Sequence, residues 1–167
     1  NLYLQGGIFI GASYAGGASI TNYLTGYVSN VRVTRGTALY TATFTPSTTP
    51  LTTTSQSATS SQVALLTCQS NRFIDNSTNA ATLTANASPV VQTFSPYVLP
   101  NSYNPDTINK IYYGSGYFNG STDALSGPTD AVSLDNFNFG NGNYTIECWI
   151  YLTTTPARSE EHTSELQ

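Results

Sequence analysis

The stretch Asn143-Tyr144-Thr145-Ile146-Glu147-Cys148-Trp149-Ile150-Tyr151-Leu152 decides the fold class. Six of its ten residues are β-branched or aromatic, a composition that fits a pleated, half-buried surface better than a helix. In a strand, alternate residues share a face, so Tyr144, Ile146, Cys148, Ile150 and Leu152 line one side and Thr145, Glu147, Trp149 and Tyr151 the other. The first, more uniformly apolar set is predicted to face the core.

Two further stretches, residues 26–34 and 116–125, alternate in the same way, each opening on glycine. In the first, Val31 and Val33 share a face that Val28 misses by one position. A β-bulge near Ser29-Asn30 would bring Val28 inward, and Arg32 would then point outward. Shorter strands are predicted over residues 2–10, 63–69, 81–85 and 90–94, with one helical turn at residues 37–40. Residues 44–61 are almost entirely Thr, Ser, Pro and Ala, which predicts an extended covering strand passing into a linker. A long loop is predicted over residues 95–109, which hold Pro96, Pro100 and Pro105.

Composition supports an all-β chain. Only 8% of the 167 residues are charged, Met is absent, and 12 Tyr with 7 Phe provide the large side chains of a β core. Turn residues recur at the spacing of a sandwich or barrel. The net charge of −4, without a basic stripe, argues against a nucleic-acid partner. No run approaches the ~20 apolar residues of a membrane helix.

Residues 158–167, Arg-Ser-Glu-Glu-His-Thr-Ser-Glu-Leu-Gln, break with this composition and hold the only histidine. They read as a non-native tail, similar to a translated sequencing adapter, and are set aside from fold reasoning. Without them the net charge is −2 and no histidine remains.

The run Gly26-Tyr27-Val28-Ser29-Asn30-Val31-Arg32-Val33, followed by Gly36-Thr37-Ala38-Leu39-Tyr40 and Phe44-Thr45-Pro46, resembles the closing strands of laminin-G-like domains in the concanavalin-A-like lectin/glucanase superfamily. Leu65-Leu66-Thr67-Cys68-Gln69 with Phe73-Ile74-Asp75-Asn76-Ser77 resembles the family's opening strand and turn. Residues 116–125 and 144–151 are similar to the strands that follow. The resemblance implies an antiparallel jelly-roll β-sandwich. Because the order runs from end to beginning, it further implies a permuted pseudo-domain: residues 1–64 as the C-terminal part of one repeat, residues 65–157 as the N-terminal part of the next. Similar domains occur in phage and viral tail or fibre proteins, so the resemblance places the chain on a virion or outside the cell.

Chemistry narrows the reading. Nucleophilic triads need an imidazole, which the native portion lacks. Structural zinc needs clustered Cys or His, whereas Cys68 and Cys148 lie eighty positions apart. They are read as free core thiols, with pairing left open should their strands adjoin. Glycoside hydrolysis needs two carboxylates across the bond, but the strand neighbours of Glu147 on its face are Trp149 and Tyr151. Trp149, Tyr151, Tyr112 and Tyr113 are candidates for stacking on sugar rings, against the alternative that they pack inside the sandwich. Asp75, Asn76 and Asn79 are the candidates for calcium, the ion the superfamily often holds at a sandwich rim, against the alternative of an Asx-type turn. No other cofactor is expected. The function expected is a non-enzymatic binding or adhesion module for glycans or host-surface polymers, homo-oligomeric in an intact fibre. The alternatives are a purely structural spacer and, further off, a glycosidase fragment.

Overall fold

The computed structural model describes residues 7–14, 19–70, 72–97, 114–128 and 135–154. Among these described residues ten strands form in chain order: β1 (Phe9–Ile10), β2 (Ser13–Tyr14), β3 (Ile20–Thr21), β4 (Thr25–Arg35), β5 (Val63–Thr67), β6 (Thr84–Asn86), β7 (Val90–Gln92), β8 (Ser115–Asn119), β9 (Ala124–Ser126) and β10 (Tyr144–Leu152), with one 3-10 turn at Ser55–Ser57. The chain is all-β and every pairing is antiparallel. Among the described residues no helix is long and apolar enough to cross a membrane.

The long strand β4 organises the molecule. β10 runs along one of its edges, while β8 and β5 share the other, β8 beside Thr25–Val28 and β5 beside Val31–Thr34. β7 pairs with the far side of β8, which completes a five-stranded sheet in which β10 is an edge. β1, β9 and β6 make a second sheet and β2 with β3 a small hairpin.

The bulge forms where it was expected. The register of β10 on β4 steps from Glu147–Arg32 to Trp149–Ser29, so that Asn30 and Val31 together face Cys148. Asn30 takes a positive φ of 54°, which Asn tolerates better than most residues. The extra residue brings Val28 into one buried cluster with Val31, Val33, Ala64, Leu65, Cys68, Phe118, Phe137 and Phe139. Ile10 and Leu125 of the second sheet join the same cluster, so both sheets share a core. Gly11, at φ +82°, lets the chain cross Phe118, whose ring a Cβ would strike.

Residues 116–125 do not form one strand. They split into β8 and β9, which belong to different sheets. Asn119 Oδ1 accepts backbone N–H bonds from Ser121, Thr122 and Asp123 at 2.9–3.2 Å, and Gly120 has φ +76°. These bonds offer the backbone a turn in place of a ladder. Residues 37–40 likewise form no helical turn. Leu39 N instead donates to Thr145 Oγ1 at 2.9 Å.

Residues 37–62 cover the face of β4 opposite the main core, as an irregular segment rather than a strand. Leu51, Ala58, Val63 and Leu66 form a second buried cluster there, with Leu39 against it. Polar bonds tie the segment to the sheet. Leu51 N donates to Asn30 Oδ1 at 2.9 Å and Gln69 Nε2 donates to Leu51 O at 2.7 Å.

Two burial expectations are overturned. Arg32 points away from the main core, but it is 0% exposed because the 37–62 segment lies over it. Ile146 and Ile150 do face the core side, opposite Val33 and Val28, yet they are 53% and 55% exposed. Tyr144, Cys148 and Leu152 are exposed as well. The parity of β10 was legible; its depth was not, because it lies at the sheet edge, beyond the second sheet.

Candidate functional site

The face of β4 and β10 away from the main core carries the candidate site. Cross-strand register sets Trp149 beside Ser29, and Tyr151 beside Tyr27, with Tyr117 of β8 on the far side of Tyr27. Directly opposed residues share a face, so Tyr151, Tyr27 and Tyr117 form an aromatic row across three strands. Phe94 lies over it, its ring centroid 4.6 Å from that of Tyr27 and 4.9 Å from that of Tyr151. Tyr27 and Tyr117 are 5.1 Å apart. Such tilted arrangements favour ring edges against ring faces.

Trp149 stands between two depressions. On one side is a cleft of about 490 Å³ lined by Tyr40, Phe44, Pro46, Leu51, Ile146 and Glu147, among others. On the other is a hollow of about 150 Å³ bounded by Tyr27, Phe94, Pro96, Ser115, Ile150 and Tyr151. Both include Trp149 in their walls. Trp149 is 37% exposed, and the Tyr97 ring meets its indole edge-on at 6.2 Å. Across the cleft, Tyr40 and Phe44 stack with centroids 4.0 Å apart.

The polar floor of the cleft is locked. Arg32 Nε donates to Glu147 Oε1 at 2.6 Å, and Nη2 lies 2.6 Å from the same oxygen. Nη1 donates to the carbonyls of Thr52 and Ser55 at 2.7 and 2.8 Å. Tyr40 Oη donates to Glu147 Oε2 at 2.5 Å. Burial, the bond to Glu147 and the carboxylate's charge together push the Tyr40 phenol up to about 12, with Arg32 opposing in part. Both carboxylate oxygens are thus engaged, and among the described residues Glu147 is the only acid lining the cleft. What the cleft offers a ligand is apolar and aromatic surface beside a neutralised ion pair.

Of the four aromatic candidates, the fold brings Trp149 and Tyr151 to this face, while Tyr112 and Tyr113 lie outside the described residues. Sequence reasoning missed Arg32, Tyr40, Phe44, Tyr27 and Phe94. A signal existed for the first: Arg32 is the one Arg of the alternating run 26–34 and Glu147 the one acid of the run 143–152, and in a chain so poor in charge the two are natural partners.

Asp75 sits elsewhere, in the turn after β5. Its Oδ1 accepts from the backbone N–H of Leu66 at 3.0 Å and of Ser77 at 2.8 Å, and its Oδ2 from Ser77 Oγ at 2.8 Å and Ala81 N at 2.9 Å. Asn76 N donates to Leu66 O, and Asn79 Nδ2 donates to Ala64 O at 3.0 Å. This is the Asx-type turn, with the carboxylate filled by donors from its own chain. Among the described residues no three His, Cys, Asp or Glu side chains gather as a metal site.

Both cysteines are free. Cys68 is a core thiol, pushed up to about 12 chiefly by burial. Cys148, expected in the core, is exposed on the edge strand. Partial burial and the charge of Glu147 raise its thiol.

Comparison of the chain with known protein families, with curated proteins and with solved structures finds no match.

Proposed function

We propose that this chain is a non-enzymatic binding module whose ligand is a glycan or a similar neutral surface polymer, carried on a virion or extracellular fibre. The observation that carries the reading is the aromatic row of Tyr151, Tyr27 and Tyr117 under Phe94, continuous through Trp149 with the apolar cleft. A sugar ring has an apolar face that stacks on such rings and a polar rim that bonds to nearby Ser hydroxyls and backbone groups. A ligand bridging both depressions would cross Trp149, which favours an extended polymer over a single sugar. The resemblance of residues 26–46 and 65–69 to laminin-G-like strands supports the same reading. On it, the two sheets are a jelly-roll sandwich completed by strands from successive repeats, consistent with β4, β5, β8 and β10 lying in one sheet.

The test is a glycan array followed by calorimetric titration of any hit. Trp149→Ala is expected to abolish binding, while Asp75→Asn, remote from the site, leaves affinity unchanged. Binding unaffected by Trp149→Ala, or no hit at all, would remove the glycan reading. A spacer role is the second reading, favoured by the exposed apolar face of β10, which suits assembly better than recognition of a sugar.

A further inference from the structure

The outer edge of β10 is a feature that the glycan reading leaves unexplained. β10 spans nine residues and has β4 on one side; among the described residues no strand occupies the other. Exposed edges are normally blunted by lysine, proline, a bulge or a cover. Here Tyr144–Leu152 holds no Lys, Pro or Gly. Its bulge places the additional residue on β4 rather than on β10. Its one charge, Glu147, is turned to Arg32 and Tyr40. The strand also exposes Tyr144, Ile146, Trp149, Ile150, Tyr151 and Leu152. This combination is that of a strand made to pair.

We propose that β10 pairs antiparallel with β10 of a second copy of this chain, around a twofold axis at Cys148. The sequence of the strand carries the choice of partner. About Cys148, its core-side face reads the same in kind in both directions. Ile146 would face Ile150 of the other copy, and Tyr144 would face Leu152. On the opposite face Glu147 would meet Trp149, and Thr145 would meet Tyr151. No like charges meet in this register. The sole carboxylate is neutralised within its own chain and would face an indole rather than a second carboxylate. Such an arrangement is isologous, and closes as a dimer instead of propagating. It continues the sheet of each copy across the axis and covers the two exposed isoleucines.

Light scattering across a concentration series, with cysteine crosslinking, tests this. The full chain is expected to be a dimer at micromolar concentration. Directly opposed antiparallel residues have Cα atoms about 4.5–5.5 Å apart, within disulfide range. Copper(II) phenanthroline, two equivalents each accepting one electron, is therefore expected to link Cys148 to Cys148, with both thiol protons lost to solvent. Cys68→Ser would leave the link intact. Cys148→Ser would remove the link but retain the dimer mass. Ile146→Lys and Ile150→Lys, each at an exposed position, would weaken dimerisation at least about tenfold by setting an unpaired ammonium against apolar surface, with circular dichroism unchanged. A monomeric wild-type chain, open-ended assembly, a dimer indifferent to both lysines, or a dimer without the Cys148 link would each overturn the proposal.

Discussion

β4 and β10 lie side by side, paired from Gly26 with Leu152 to Arg35 with Tyr144. Both alternate apolar with polar residues, and both contain an ionisable side chain in mid-strand. β4 is buried along almost its whole length, whereas β10 is exposed along most of its own. The difference comes from neighbours. β4 has strands on both edges, the main core under one face and the 37–62 segment over the other. Among the described residues β10 has a single strand beside it and receives cover mainly at Thr145 and Glu147. Burial in a sheet is set by position in the stack of layers; a strand's own alternation determines only which side each residue would bury.

The largest test of this contrast is Glu147→Ala. Among the described residues the carboxylate is the only charge paired with Arg32, which is fully buried. Removing one partner of a buried pair costs about 3–5 kcal/mol, because the other charge is left uncompensated. Urea unfolding is expected to show that loss. The double replacement Arg32→Met with Glu147→Leu is expected to recover most of it. Should the single variant lose under about 1 kcal/mol, Arg32 would be reaching water and the 37–62 cover would be loose.

Val33 and Ile146 are direct cross-strand partners on the core side, one 0% and the other 53% exposed. Val33→Ala is expected to cost about 2 kcal/mol from lost methyl groups and the cavity left behind. Ile146→Ala is expected to change stability by less than about 0.5 kcal/mol in the monomer. Equal losses would mean that β10 is covered in solution even when the chain is monomeric.

The smallest effect is in alkali. The folded state holds the Tyr40 phenol at about 12, above its ordinary 10.0, so folding favours the protonated form. The contribution is fully present below pH 10 and is lost as pH rises from 10 toward 12. Since the phenol is partly open to solvent, the change is expected to stay under about 1 kcal/mol. Cys68 adds a separate loss of stability that begins nearer pH 9, because its thiol is raised from 9.0 to about 12. Tyr40→Phe is expected to flatten only the upper part of the stability profile. An unchanged profile would mean that the bond to Glu147 does not hold the phenol protonated.

Much was decided locally and could be read from residues alone. The three long alternating stretches became strands or strand pairs, because β-branched and aromatic residues fit a pleated surface. The bulge at Asn30 followed from one misplaced valine, since a buried face cannot skip a position without an extra residue. Asp75 and its following Asn, Ser and Thr carried the signature of an Asx-type turn, a contact made within a few residues. Trp149 and Tyr151 were legible as a pair on one face. Tertiary structure alone decided which strands lie inside and which at the edge, because that depends on how many layers stack over a residue. It also folded the Thr/Ser/Pro-rich residues 44–61 over Arg32, where sequence composition suggested a covering strand leading into a linker. The cleft beside Trp149 exists only because Tyr40 and Phe44, more than a hundred positions away, are brought against β10 by that cover. Contacts of that sequence separation leave no local trace in composition or periodicity.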